Sequence, residues 1–202
     1  RFAVDIRGGQ KTGLFLDQRE SRLLVGKLAA GKRVLNCFAY SGGFSVYAAR
    51  GGALETVSVD TSGPALESAR GNFELNGLDP GKQRFVQEDV FDHLRSQGQG
   101  YDLIVLDPPA FCHRKDQISR ACRGYKDINL QALKLLPADG LLFTFSCSSF
   151  ISADLFQKII FGAAKDAGRD LRILAKTSHP FDHPISIYHP EGEYLKGLLC
   201  TV

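Results

Sequence analysis

The sequence contains no methionine, and none of its apolar runs approaches the length of a membrane span. It begins at Arg1 inside a strand-like run, RFAVDI, so there is neither an initiator nor a signal peptide to read, and a piece of a longer protein is expected. The five cysteines, Cys37, Cys112, Cys122, Cys147 and Cys200, show no paired metal-ligand spacing. A chain of 202 residues needs no disulfide staples, so free thiols in a reducing compartment, the cytoplasm, are expected, and no metal site. Charge of one sign is also scarce: 25 Lys+Arg against 22 Asp+Glu leaves +3, too little to demand a nucleic-acid partner. The G-x-G-x-x-G fingerprint and the P-loop Gly-Lys-Ser/Thr are both missing, which disfavours a dinucleotide or a triphosphate as ligand.

What is present is a rhythm. A short hairpin signal with a Gly8-Gly9 turn fills residues 1–16, and DQRESRLLVGKLAAG reads as a helix opened by Asp17 and closed at Gly31. Short apolar runs then alternate with amphipathic segments. RVLNCF, TVSVD, RFVQED, YDLIVLD, GLLFTFS and LRILAK are the strands, and the intervening helices include one over YKDINLQALKLL. Ser62 and Pro64 mark one helix start, and Gly77 and Gly168 mark stops. This predicts an α/β, Rossmann-like domain over 17–202, with a mostly parallel sheet and helices on both faces. The final run GEYLKGLLCTV follows a His/Pro-rich loop too short for a crossover helix, so the last strand should be antiparallel, at or near the sheet edge.

In such sheets ligands bind beyond the carboxyl ends of the strands. At the first of these ends, Gly42 and Gly43 in NCFAYSGGFS let the backbone approach a ligand at a helix start. Asp60 closes the second strand, where a carboxylate can accept from both ribose hydroxyls or, more plainly, cap the next helix. Asp89, after the third, is placed to accept from an adenine amino group. A glycine turn with two acids suggests an adenosine without phosphates, hence S-adenosyl-L-methionine. In LDPPAF, Asp107 leaves a buried strand, Pro108 and Pro109 stiffen the chain, and Phe111 offers a ring for stacking on a planar group. Cys147 ends the next run in sequence, FTFSCSSF, and on a neighbouring strand its thiol would share a cleft with Asp107. A thiolate adding to C6 of a pyrimidine makes C5 nucleophilic, and a carboxyl group on the ring would stabilise the charge that develops. The same cysteine read alone is a small buried hydrophobe, which is the reading kept for the other four. Arg114, Lys115, Arg120 and Arg123 concentrate positive charge in the connection after Pro108, either as a solvated loop or as phosphate contacts.

Together TGLFLDQRESR, RVLNCFAYSGGFSVYAARGGA, VSVDTS, DPPAF, ACRGYKDIN, FTFSCSS, DLFQKII and HPEGEYLKG resemble the catalytic domain of bacterial 23S rRNA cytosine-C5 methyltransferases, over nearly the whole chain. The resemblance implies a class I methyltransferase fold of seven strands with an antiparallel last strand, S-adenosyl-L-methionine at the glycine turn, and 23S rRNA or a ribosomal precursor as partner. It further implies that Cys147 is the nucleophile and Asp107 its partner. Asp60 and Asp89 would be nucleoside contacts, with Phe38, Tyr40, Val90 and Arg19 beside the cofactor. Members of that family carry an upstream RNA-binding domain of the PUA type, expected to lie outside this chain. Many RNA cytosine-C5 methyltransferases have a second cysteine directly after Asp-Pro-Pro; here that place is Ala110.

Three rivals remain at this stage. An exocyclic-amine or guanine N-methyltransferase would use the Asp-Pro-Pro-x-Phe turn and need no thiol. A noncatalytic RNA-binding module would keep only the cofactor pocket, and a dehydrogenase is disfavoured by the missing glycine pattern. The base that would remove the C5 proton is not identified, and a homodimer stays open.

Overall fold

The computed structural model describes residues 1–4, 13–98 and 100–202. The hairpin expected around Gly8-Gly9 lies outside the described residues. Seven strands form one sheet: β1 (Arg33–Cys37), β2 (Glu55–Asp60), β3 (Arg84–Gln87), β4 (Leu103–Leu106), β5 (Leu141–Ser146), β6 (Arg172–Thr177) and β7 (Lys196–Thr201). Their order is β3-β2-β1-β4-β5-β7-β6. All pairings from β3 through β5 are parallel, and β7 runs antiparallel to both β5 and β6. The last strand is thus antiparallel as expected, and sits one place in from the edge that β6 occupies.

The helices are α1 (Arg19–Leu28), α2 (Gly43–Arg50), α3 (Gly63–Leu75), α4 (Val90–Ser96), α5 (Ile118–Leu135) and α6 (Ala153–Ala167). None among the described residues is long and apolar enough to cross a membrane. Strand residues alternate between two cores, as the period of two requires. Leu35, Cys37, Ile104, Leu106 and Leu142 face α4, α5 and α6, whereas Val34, Leu103, Val105 and Phe143 face α1 and α2. β4 and β5 are buried throughout, which is why they read as continuous apolar runs.

Two boundaries differ from the sequence reading. Asp17 does not cap α1; it lies in a 3₁₀ turn, Leu16–Gln18, and accepts a hydrogen bond from the Tyr194 hydroxyl at 2.7 Å. α5 begins at Ile118, well before Tyr125, so Arg120, Cys122 and Arg123 lie on a helix and not in a loop. Gly124 and the surrounding charges mimic a loop in sequence. Burial of Ala121, Tyr125 and Ile128 at helical spacing decides otherwise.

α1 is held against α2 by close backbone approach: a Cβ at Gly51 would collide with the Gly26 carbonyl oxygen. α2 in turn is tied to the sheet by a buried chain in which Asn36 Nδ2 donates to Ser45 Oγ (3.0 Å), itself hydrogen-bonded to Ser58 Oγ (2.7 Å). Gly51→Ala should therefore cost about 1–3 kcal/mol through overpacking. Gly71→Ala, inside α3 with nothing within 4 Å of the new methyl, should stabilise by about 0.5–1 kcal/mol. Urea denaturation of both variants checks the opposite signs.

Candidate active site

The connection after β1 is strained. Phe38 (φ 59°), Tyr40 (φ 47°) and Gly42 (φ 74°) all adopt the left-handed region within five residues. Each non-glycine case costs of order 1–3 kcal/mol and persists only where neighbours enforce it. The enforcement is visible: Tyr40 N donates to Asp60 Oδ2 (2.8 Å), and Ala39 N donates to the Val59 carbonyl (3.0 Å). Gly42 is the N-cap of α2, and a Cβ there would stand 2.8 Å from Ala69 Cβ; at Gly43 it would meet Arg22 Cδ at 3.0 Å. Gly42 is thus required by packing and by its dihedral angle, in addition to any approach of a ligand, whereas a methyl at Gly43 would press on the Arg22 side chain.

The other oxygen of Asp60, Oδ1, accepts from Ser62 N at 2.9 Å, while Ser62 itself caps α3 through Ala65 N (3.3 Å). Asp60 therefore joins the ends of β1 and β2 without being the helix cap. Across the crevice, Asp107 Oδ1 accepts from Gln18 Nε2 at 2.8 Å. Arg22 is buried on the same wall and donates to the Phe15 carbonyl at 2.6 Å. Burial lowers the pKa of its guanidinium, and Tyr47, Asp107 and Asp17 oppose that shift.

Cys147 follows β5 directly, and its thiol points at the Pro108 carbonyl oxygen, 3.7 Å away. The small hydroxyls beside it hold the turn. Ser148 Oγ is hydrogen-bonded to the Tyr125 hydroxyl (2.9 Å) and accepts from Cys112 N (3.2 Å), and Lys196 Nζ donates to the Ser148 carbonyl (2.7 Å). The turn is thereby fastened to α5, to the Asp-Pro-Pro loop and to β7. Burial pulls the Lys196 ammonium down to about 8, with Cys147 and Glu193 pulling it back up.

A cavity of about 220 Å³ runs between these groups, and Asp60, Asp107, Pro108, Pro109 and Cys147 all line it together with Phe38, Tyr40 and Gly43. The expected neighbourhood of thiol and carboxylate is therefore present: β4 and β5 are paired, and both residues face one cleft. Asp17, Gln18 and Arg22 line the same cavity, and none of the three was singled out from sequence as a ligand contact. Asp17 Oδ1, Gln18 Oε1 and Arg22 Nε are buried without a hydrogen-bond partner among the described residues. Two acceptors and a donor so placed fit the charged amino-acid end of S-adenosyl-L-methionine, and Asp60, which could accept from its ribose, lines the same cavity.

Other residues predicted from sequence lie elsewhere. Arg19 does not line the cavity; it pairs with Asp182 (2.6 Å) and Glu20 (2.7 Å) and stacks over Phe181, while Arg22, one turn on, takes the wall. Asp89 is the N-cap of α4, its Oδ1 accepting from Phe91 N (2.8 Å) and Asp92 N (3.3 Å), and Val90 is buried in the core. Phe111 packs on Tyr125 (centroids 4.7 Å apart), Phe91 and Phe38, so its ring is engaged within the protein. Arg114, Lys115, Arg120 and Arg123 are exposed and outside the cavity wall. Cys112 is buried with its thiol donating to the Arg114 carbonyl (3.2 Å); burial raises the thiol pKa of Cys37, and pushes that of Cys200 up to about 12. Tyr125 and Lys196 went unassigned although both stand in quoted motifs. A lone lysine in the otherwise apolar YLKGLLC was the available signal for the second.

Residues 1–184 match the sequence profile of S-adenosylmethionine-dependent methyltransferases. The chain is 54% identical over 205 residues to ribosomal RNA large subunit methyltransferase I of Klebsiella pneumoniae (strain 342), covering 100% of this chain and 51% of that protein. It is 55% identical over 202 residues to the protein of the same name from Aeromonas hydrophila subsp. hydrophila, covering 98% and 51%. The chain thus spans about half the length of the curated relatives it matches. A solved structure of a candidate methyltransferase from Streptococcus mutans superposes with a TM-score of 0.86 at 32% identity, covering 100% of this chain and 53% of that one. SMU.776, solved complexed with SAH, gives 0.88 at the same identity and coverage. With the seven-stranded sheet and the strand-end cavity, these likenesses establish that the chain belongs to the S-adenosylmethionine-dependent methyltransferase family.

Proposed function

We propose that this chain is the catalytic domain of an rRNA methyltransferase that adds a methyl group to C5 of a cytosine in large-subunit rRNA by way of a bond between Cys147 and C6. The observation that carries the reading is the shared cavity: Cys147 and Asp107 line the same cleft as Asp60 and Gly43 of the glycine turn. The large-subunit rRNA substrate is taken from the names of the relatives, and the cytosine from the family resemblance and the placement of the thiol.

S-adenosyl-L-methionine, when bound, supplies an electrophilic methyl group on a sulfonium. Asp60 accepts from the ribose, Asp17, Gln18 and Arg22 hold the amino-acid end, and Phe38 and Tyr40 line the adjoining wall. The Cys147 thiolate adds its electron pair to C6, and the ring electrons move to C5. Asp107, as an acid hydrogen-bonded at N3 or the exocyclic amine, stabilises the negative charge that develops there. C5 takes up the methyl carbon as that carbon's bond to the sulfonium sulfur breaks and leaves a neutral thioether, and loss of the C5 proton to a base then returns the electron pair that expels the cysteine as thiolate. The turn at Ser146–Ser148 keeps the sulfur fixed while this happens. The exposed cluster Arg114, Lys115, Arg120 and Arg123 neutralises RNA phosphates around an extruded base, and the full-length protein acts in the cytoplasm on rRNA or a ribosomal precursor.

Three measurements bear on this. Asp60→Asn should weaken S-adenosyl-L-methionine binding by about tenfold in calorimetry, as expected for a charged hydrogen bond made neutral; unchanged affinity would remove Asp60 from the cofactor site. The salt slope of rRNA binding by the full-length protein should flatten by about two in the double variant Arg120→Ala/Arg123→Ala, and an unaltered slope would take the helix out of the RNA interface. Decisive for the chemistry is mass spectrometry of the full-length protein with S-adenosyl-L-methionine and rRNA containing 5-fluorocytosine. A covalent adduct is expected in the wild type and not in Cys147→Ala, because fluorine cannot be removed as a proton. Equal methylation of ordinary rRNA by both proteins, with no adduct, would sink the covalent route and favour attack by an exocyclic amine.

A further inference from the structure

We infer that Lys196 is a positioning residue for Cys147: from the antiparallel strand beside β5 it ties down the turn that carries the thiol and sets a positive charge against the thiolate. The inference rests on the reading of Cys147 as nucleophile and names the group that keeps it reactive. In register, Lys196 lies opposite Ser146, the last residue of β5, and its Nζ donates to the carbonyl of Ser148 at 2.7 Å. The side chain therefore reaches past the thiol-bearing residue, with one end fixed by the sheet and the other by the turn. Ser148 is at the same time held by Tyr125 and Cys112 N, so the ammonium meets a turn with little freedom to retreat.

The charged and titratable groups around the pair favour this assignment. Asp107 shares the cavity wall with the thiol, while Tyr125 from α5 and Tyr194 ahead of β7 interact with it electrostatically. These are neutral or negative and do nothing to favour a thiolate. Arg22 lies on the same cavity, but its charge is engaged by Asp107 and Asp17. Lys196 faces Cys147, Glu193 and the His179 ring, whose pKa burial, His183 and Lys196 all lower, so that at neutral pH the imidazole adds no competing positive charge. Burial brings Lys196 down to about 8, and the cysteine works against that shift. The effect is reciprocal: whatever the thiolate does to keep the lysine charged, the charged lysine does to keep the thiolate. The help is complete while Lys196 carries its proton, and is lost as pH rises through about 8.

The test measures iodoacetamide alkylation of Cys147 against pH in the full-length protein, resolved by peptide mass spectrometry from the other cysteines, with neither RNA nor methyl donor present. In Lys196→Gln the midpoint should move up by about one unit, with a loss of about tenfold in rate at neutral pH, and Lys196→Arg should restore most of it. A carbonyl clamp alone would not move the midpoint, so coincident profiles for wild type and Lys196→Gln would overturn the inference. Should Lys196→Gln fail to fold, the reciprocal measurement decides: in Cys147→Ser the acetylation midpoint of Lys196 should fall below the wild-type value, and an unchanged midpoint overturns the pair. The two readings fail separately. An unmoved alkylation profile alongside a 5-fluorocytosine adduct removes Lys196 and keeps the nucleophile, whereas a shifted profile without any adduct keeps the ion pair and removes the covalent mechanism.

Discussion

The site depends on the place where the sheet changes its winding. β1 is paired on one side with β2 and on the other with β4, so the connections leaving these strands depart to opposite faces and cannot cover the gap between them. The strained turn after β1 bounds one side of that gap and the Asp-Pro-Pro loop after β4 bounds the other. β5 lies beside β4 and brings Cys147 to the same rim. Every cavity residue discussed above enters from a segment adjoining this crevice. The buried Asn36–Ser45–Ser58 chain fixes one bank of it by pinning α2 to β1 and β2.

Much of this frame was legible because strand ends announce themselves. Asp60, Asp107 and Cys147 each follow a short apolar run, and a parallel sheet sends all such ends to one edge; the reading needed only period and punctuation. Asp89 shows that a strand-end acid can also have a structural duty. It too follows a strand, but a helix starts at once behind it, and two free backbone amides claim one carboxylate oxygen. Arg19 and Arg22 show a limit: they are neighbours one turn apart on the same helix, and only packing decides that Arg22 lines the cavity while Arg19 pairs with Asp182 and Phe181 of the His/Pro loop. Phe111 was read as an open ring, yet Gly124 of α5 leaves room for it to pack against Tyr125, a contact that no local pattern encodes.

The least legible residues are those whose function comes from pairing over long sequence distance. Tyr125 meets Ser148 from a helix whose first turns were read as loop. Lys196 reaches the Ser148 carbonyl, in the turn that carries the thiol, because β7 inserts beside β5, a choice set by the whole topology. A thiol among small hydroxyls at the end of a buried strand has a mechanical reason. Ser146 and Ser148 supply the hydrogen-bonding groups that anchor a turn, and the cysteine rides on it. The strained dihedral angles at Phe38 and Tyr40 are invisible to residue type for a related reason. They arise where the Asp60 carboxylate, 20 residues on, captures a backbone amide.

The position of β7 between two strands that precede it in the chain has a consequence for synthesis. As the polypeptide leaves the ribosome, β1 through β5 can assemble in parallel, but β6 emerges before the strand that will connect it to the sheet. Until Lys196–Thr201 appear, the Arg172–Thr177 segment has no neighbour and the flank of β5 stays bare. In the nascent chain the cysteine turn thus still lacks one of its three ties, and the cavity wall at Asp17 still lacks Tyr194 and Leu195. The end of β5 is therefore among the last parts of the sheet to become rigid, and chains that stall before residue 196 carry a slack turn at Cys147.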